Sequence, residues 1–267
     1  MSFLDVPGAR LAYETHGSGP LLLLIPGAFG SGAVFRPLID HLANGNTVVT
    51  YDRRGFARSQ LAGPQDEAHR LEADADDARR LLAHLSNEPA IVFGTSSGAV
   101  VALELLTRHP SVVRTLLPFE PPAMRLLPDG RQWIDFFFQV YERYRESGIE
   151  PALAMFRERT FAETDRQAMS RARDPKASEA MHANVVYWFE HELRQYPAVA
   201  LDLNALKAHA GRIVPMAGQE SRGYPCYGVS VELGKHLGRE VTELPGGHVG
   251  FVAQPAAFEA ALNGLLG

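Results

Sequence analysis

The stretch of this chain best suited to chemistry is Gly94-Thr95-Ser96-Ser97-Gly98. It is a G-x-S-x-G that joins the uninterrupted apolar run Ala90-Ile91-Val92-Phe93 to the helix-forming run Ala99-Val100-Val101-Ala102-Leu103. This order puts Ser96 on a sharp strand-to-helix turn with strained backbone angles, and glycine is needed at 94 and 98 because side chains there would strike the neighbouring strand and helix. Ser96 then stands clear of the sheet at a helix N-terminus, whose free N–H groups and dipole favour developing negative charge. A serine so placed can attack a carbonyl. Its hydroxyl is a poor nucleophile alone, so an imidazole must take its proton and a carboxylate must hold that imidazole in the right tautomer. Without such partners the motif is only a glycine-rich turn before a core helix.

Positioning these groups falls to a regular alternation of elements. Phe3 to Val6 and Arg10 to Glu14 flank a Pro-Gly turn and predict an opening hairpin. Leu21 to Ile25 predicts a buried strand that runs into the glycine-dense loop Pro26-Gly27-Ala28-Phe29-Gly30-Ser31-Gly32, where backbone N–H groups are left uncovered. Val34 to Leu42 predicts a helix, Thr47 to Tyr51 a strand, Glu67 to Leu85 an amphipathic helix with Leu71, Ala78, Leu81 and Leu82 inward, and Val112 to Phe119 a strand. From about 121 to 197 the alternation stops. Helices are predicted there at Arg131 to Glu146, Glu150 to Phe161 and Ala177 to Tyr196, and aromatic residues are frequent. Trp133, Phe137, Val140 and Tyr144 recur at helical spacing, as a helix packed on core or a pocket wall would show. The segment 121–197 reads as a helical lid inserted into a core domain of residues 1–120 and 198–267. Alternation resumes with Ile213 to Ala217, a helix around Val229 to Leu237 and the strand Glu240 to Leu244. After the loop Pro245 to Phe251, the helix Pro255 to Leu266 closes the chain. Strands alternating with helices imply a parallel sheet covered on both faces, with chemistry beyond the carboxyl ends of the strands. Ser96, the Pro26 to Gly32 loop and Glu120 all fall at such ends.

The ordered series of strand, glycine loop, Tyr51-Asp52-Arg53-Arg54-Gly55, G-x-S-x-G, lid and late Gly246-Gly247-His248 resembles the α/β-hydrolase family over nearly the whole chain. The resemblance implies an α/β fold, a mostly parallel sheet flanked by helices, and roles for particular residues. Ser96 takes the place of the nucleophile. His248 takes that of the base: of ten histidines it alone sits in a glycine-rich loop after the last strand. The other nine are expected at the surface or at helix ends, and none forms an H-x-x-x-H pair of the sort a metal site uses. No metal and no cofactor is expected. The family's usual acid position, the third residue after the glycine ending the penultimate strand, is occupied by Ser221 in Gly218-Gln219-Glu220-Ser221. Glu120 is the expected acid instead. It ends the strand after Ser96, is held by Pro121 and Pro122, and has the extra methylene that a carboxylate on that adjacent strand needs to reach the histidine. A subset of the family, the zearalenone lactonases among them, uses a glutamate there; Glu220 is the alternative. The oxyanion donors implied are the backbone N–H groups of Ser97 and of Ala28, since Pro26-Gly27-Ala28 replaces the usual His-Gly-x. Asp52 and Arg54 are expected to be paired in a structural loop.

The expectation is therefore a serine hydrolase of ester or lactone bonds that resembles zearalenone-type lactonases in the spacing of Ser96 to Glu120 and in its aromatic lid. Trp188 lies about as far before the histidine as their substrate-contacting lid tryptophan, so Trp188 and, in the first glycine loop, Phe29 are candidate substrate contacts. Cofactor-free haloperoxidases, carbon–carbon bond hydrolases and triad-retaining small-molecule receptors share these residues and stay open. Epoxide hydrolases and dehalogenases need aspartate where Ser96 stands. At 267 residues, one core with an insertion is the natural organisation. A net charge of −5 with mixed signs gives no electrostatic case for nucleic acid or an anionic membrane, and the single cysteine, Cys226, excludes an internal disulfide. Met1 to Arg10 lacks a signal-peptide pattern, and the aliphatic run Leu21 to Ile25 is too short to span a bilayer. A cytoplasmic location is expected, as monomer or homodimer, with a small molecule as the partner.

Overall fold

The computed structural model describes residues 1–171 and 178–266. Strands β1 (Ser2–Val6) and β2 (Ala9–His16) form the expected hairpin around Pro7-Gly8, where Gly8 takes φ +77° as the tight turn requires. Then come β3 (Leu21–Ile25), α1 (Arg36–Leu42), β4 (Thr47–Tyr51), the short β5 (Gln60–Leu61), α2 (Arg70–Leu85), β6 (Ala90–Thr95), α3 (Ser97–Arg108) and β7 (Val113–Phe119). Four helices follow: α4 (Gly130–Ser147), α5 (Ile149–Thr160), α6 (Glu163–Arg171) and α7 (Ser178–His191). The chain ends with α8 (Leu203–Ala208), β8 (Met216–Gly218), α9 (Pro225–Leu237), β9 (Thr242–Leu244), α10 (Gly250–Ala253) and α11 (Pro255–Asn263).

Among the described residues, nine strands form one sheet in the order β1-β2-β4-β3-β6-β7-β8-β9, with β5 on β2. Pairing is antiparallel among β1, β2, β4 and β5 and parallel from β4 through β9. The central strands carry apolar residues without interruption because both faces are covered. Their period of two divides them between two cores. Leu23, Ile25 and Val92 pack with α2, α3 and α9, whereas Leu22, Leu24, Ile91 and Phe93 pack with α1, α10 and α11. A third cluster lies outside the sheet and joins Phe136 and Phe137 of α4, Phe156 of α5, and Trp188 and Phe189 of α7 to Phe56, Cys226 and Val229.

Several boundaries differ from those the sequence predicts. The strand expected from Ile213 starts at Met216, because Pro215 has no N–H for the ladder and Ile213 makes only an isolated bridge to Leu116. The last strand begins at Thr242, where its partner β8 begins. The helices expected from Val34 and Glu67 open with 3₁₀ turns, at Gly32–Phe35 and Glu67–His69. Ala177 lies outside the described residues, and α7 ends at His191 rather than Tyr196, giving way to turns before Pro197. The sequence predicts no helix over α6, whose residues, ETDRQAMSR, are too polar to show an apolar stripe.

The turn from β6 into α3 depends on close backbone approach. A Cβ on Gly98 would overlap the carbonyl oxygen of Ile25 and lie 2.6 Å from that of Pro26. Helix propensity alone would make Gly98→Ala stabilising by about 1 kcal/mol. We expect the reverse, a loss of about 1–3 kcal/mol in urea unfolding, because backbone cannot yield as a side chain would.

Candidate active site

Ser96 sits between β6 and α3 with φ 54° and ψ −125°, and its N–H donates to Phe119 O at 2.9 Å. Glu120 sits at the equivalent end of β7, also at positive φ (49°), and its N–H donates to Met216 O at 3.1 Å. Positive φ is uncommon for residues other than glycine, and here it occurs at two adjacent strand ends. It turns Glu120 towards the loop after β9. The Glu120 carboxylate is 1% exposed; Oε1 accepts the Gly218 N–H at 2.8 Å and Oε2 is 2.5 Å from His248 Nδ1. His248 is the one buried histidine among the described residues, and the Phe161 ring lies against its imidazole at 4.8 Å between centroids. Glu220, the alternative acid, is exposed after β8, where its carboxylate accepts from Gln254 at 2.8 Å.

The loop after β3 is set from below by Arg53. This guanidinium is fully buried and donates to Pro26 O at 3.0 Å and Gly27 O at 2.9 Å. Because a trans peptide is planar, with C=O and N–H on opposite sides, fixing Gly27 O points the Ala28 N–H away from Arg53. Neither that N–H nor that of Ser97 has a hydrogen-bond partner among the described residues. Arg53 also pairs with Asp74 at 2.9 Å and with Glu192, and Tyr196 donates its hydroxyl to Asp74. Asp52 and Arg54 are both paired, though not with each other as expected. Asp52 accepts from Gly32 N, Ser31 and Arg58, and Arg54 forks onto Asp77 with two 2.8 Å bonds.

Ser96, Ser97, Gly27, Ala28 and His248 line one cavity of about 600 Å³. Its remaining wall is chiefly apolar, including Phe137 of α4, Leu153 and Phe156 of α5, Phe161 just after α5, and Val185 and Trp188 of α7. Phe29 takes φ 67°, lines the same cavity and meets Trp188 edge to face at 5.3 Å. Trp188 is thus core and pocket wall at once: it is 3% exposed and also packs on Phe156. Cys226 lines the cavity as well, and burial with the Glu120 charge nearby pushes its thiol up, away from the reactive thiolate.

One residue escaped the sequence reading altogether. Asp165, on α6, is 1% exposed and accepts the backbone N–H of His248 at 3.0 Å and of Val249 at 2.9 Å. Burial raises its carboxyl above the usual aspartate range, against the opposing pull of those N–H groups and of His248. Only a helix signal over 163–171 would have drawn attention to it.

A model of the α/β-hydrolase fold matches residues 20–191, and the chain belongs to that family as a hydrolytic enzyme of the α/β fold. It is similar to the uncharacterized hydrolase YraK of Bacillus subtilis (strain 168), 37% identical over 98% of this chain and 94% of that protein. Among solved structures it resembles a thermophilic esterase from Thermogutta terrifontis, with TM-score 0.76 and 20% identity over 100% of this chain and 98% of that one. It also resembles the enol-lactonase from Burkholderia xenovorans LB400, with TM-score 0.68 and 18% identity over 99% of each chain. No described helix is long and apolar enough to cross a membrane.

The dual role of Trp188 sets a measurable outcome. Trp188→Ala should lower stability by about 3–5 kcal/mol, read by urea unfolding, because it opens a cavity among Phe29, Phe156 and Phe189.

Proposed function

We propose that this protein is a serine hydrolase that cleaves a carboxylic ester or lactone bond through an acyl-enzyme on Ser96. The observation that carries this reading is the buried 2.5 Å contact between Glu120 and His248 Nδ1, in a cavity that Ser96 and His248 share. Glu120 holds the imidazole with Nδ1 protonated, leaving Nε2 free to take the Ser96 hydroxyl proton as Oγ attacks the carbonyl carbon. The tetrahedral oxyanion accepts from the N–H groups of Ala28 and Ser97, each worth about 3–4 kcal/mol in the transition state. His248 then passes the proton to the departing alkoxide, and the acyl group stays on Ser96. Water repeats the sequence, giving its proton to His248 and releasing the acid.

In this reading residues 121–197 form the lid over a core of 1–120 and 198–267, and the lid sets the substrate class. A largely apolar wall with several aromatic rings suits a neutral substrate with a bulky hydrophobic part, an aromatic lactone of the zearalenone type being one candidate. The esterase and enol-lactonase among its structural neighbours support ester and lactone chemistry by analogy. A hydrolysis screen across p-nitrophenyl esters, small lactones and zearalenone tests the substrate class, and Trp188→Ala should reduce kcat/KM for a bulky aromatic lactone far more than for p-nitrophenyl acetate.

Ser96→Ala should fold as wild type and lose hydrolysis, and a fluorophosphonate should label the wild type at Ser96 alone. Labelling elsewhere, or activity within tenfold of wild type in the variant, would refute the assignment. Glu120→Gln should lower kcat by about 10⁴, the scale of losing the acid from a comparable triad, whereas Glu220→Gln should change it little. Both are compared on one ester, and an inactive Glu220→Gln beside an active Glu120→Gln would reverse the choice of acid.

A further inference from the structure

We propose that Asp165 is a positioning residue for the catalytic base, and that through it the inserted helices set where the His248 imidazole stands. The inference rests on the reading of His248 as base. A carboxylate buried to 1% exposure is expensive unless fully hydrogen-bonded, and among the described residues Asp165 has no salt-bridge partner. What satisfies it is the peptide backbone of the base itself: Oδ2 takes the His248 N–H and Oδ1 the Val249 N–H. The chain is shaped to admit it. A Cβ on Gly247 would overlap Oδ2 and lie 2.6 Å from Oδ1, so glycine at 247 is what lets the carboxylate reach both N–H groups.

The geometric consequence concerns Nε2. Glu120 holds the ring at Nδ1, and about that single hydrogen bond the imidazole could still pivot. Fixing the His248 backbone as well anchors the other end of the side chain, and the Phe161 ring closes one face. Nε2 is then confined to the place from which it must reach Ser96. A displacement of about 1 Å at such an atom can cost on the order of 10²-fold in rate. Because Asp165 and Phe161 both belong to the inserted segment, seating that segment and placing the base become one event.

A set of point variants and one spectrum test this. Asp165→Ala removes both acceptors. Asp165→Asn keeps shape and one acceptor but turns an NH₂ group towards the other N–H. Gly247→Ala attacks the same contact from the opposite side. On p-nitrophenyl acetate kcat should fall about 10²-fold in Asp165→Ala and less in Asp165→Asn, with KM within about threefold of wild type. Gly247→Ala should lower kcat too, yet add little in the Asp165→Ala background, since both changes break one contact. The far-downfield proton resonance of the His248 Nδ1–H, assigned by its loss in His248→Ala, should shift or broaden in Asp165→Asn. Tyr141→Phe, which removes a hydrogen bond between inserted helices to Glu190 at 3.0 Å, should lower Tm but leave kcat and that resonance alone. Wild-type kcat with an unmoved resonance in Asp165→Asn would overturn the proposal, as would full additivity of Gly247→Ala with Asp165→Ala. If Asp165→Ala does not fold, Asp165→Asn and Gly247→Ala decide by the same readouts. The resonance requires no turnover, so a failure of the hydrolase reading, seen as activity surviving Ser96→Ala, is separable from a failure of this one.

Discussion

The hydrogen bond between Glu120 Oε2 and His248 Nδ1 joins residues 128 apart in sequence, and the architecture around it is what brings them together. A carboxylate so deeply buried is tolerated because both of its oxygens are satisfied, one by the imidazole and one by the Gly218 N–H. That requires β7 to lie between β6 and β8, so that Ser96, Glu120 and Gly218 end neighbouring strands. It also requires Glu120 to accept positive φ, held by its N–H to the Met216 carbonyl. Parallel pairing aligns the carboxyl ends, and the loop after β9 then delivers the histidine.

A second constraint runs beneath the first glycine loop. Burying the Arg53 guanidinium carries a large desolvation penalty, offset by Asp74, Glu192 and two backbone carbonyls. Such buried ionic clusters add little net stability compared with an apolar core of the same volume. What Arg53 contributes here is orientation, because the carbonyls of Pro26 and Gly27 are held down and the next N–H is turned up. Glu192 reaches this cluster from just beyond α7, while Asp165 reaches the His248 loop from α6. The segment from α4 to Glu192 therefore meets the site as pocket wall and as two buried carboxylates, one beside the loop after β3 and one beside the loop after β9.

The third hydrophobic cluster explains why wall and core are hard to tell apart in α4 to α7. Trp188, Phe156 and Phe161 pack on one another and also border the cavity, so one set of rings both holds the helices together and shapes the space beneath them. Phe29 extends the cluster onto the glycine loop through its edge-to-face contact with Trp188.

Local pattern determined a good deal of this protein. The apolar runs of β3, β4 and β6, the G-x-S-x-G turn, the alternation that implies a parallel sheet and the glycine-flanked histidine are all legible because each arises from contacts near in sequence, through period, propensity and steric need for glycine. Glu120 is legible in the same way, from its place at a strand end and from the reach of glutamate, both local properties combined with strand adjacency. Other features depend on residues distant in sequence. Asp165 lies on a helix with no apolar period, and nothing around it announces that it meets a backbone loop 83 residues away. Asp52 and Arg54 look like partners two positions apart, yet each side chain finds a better counterpart across the fold, in Arg58 and Asp77. Trp188 could be assigned to core or pocket only when the neighbouring rings and the cavity were seen together. Side-chain partners buried at long range are chosen by packing, because in the interior a polar group must be satisfied by whatever the fold places beside it, and tertiary structure alone decides what that is.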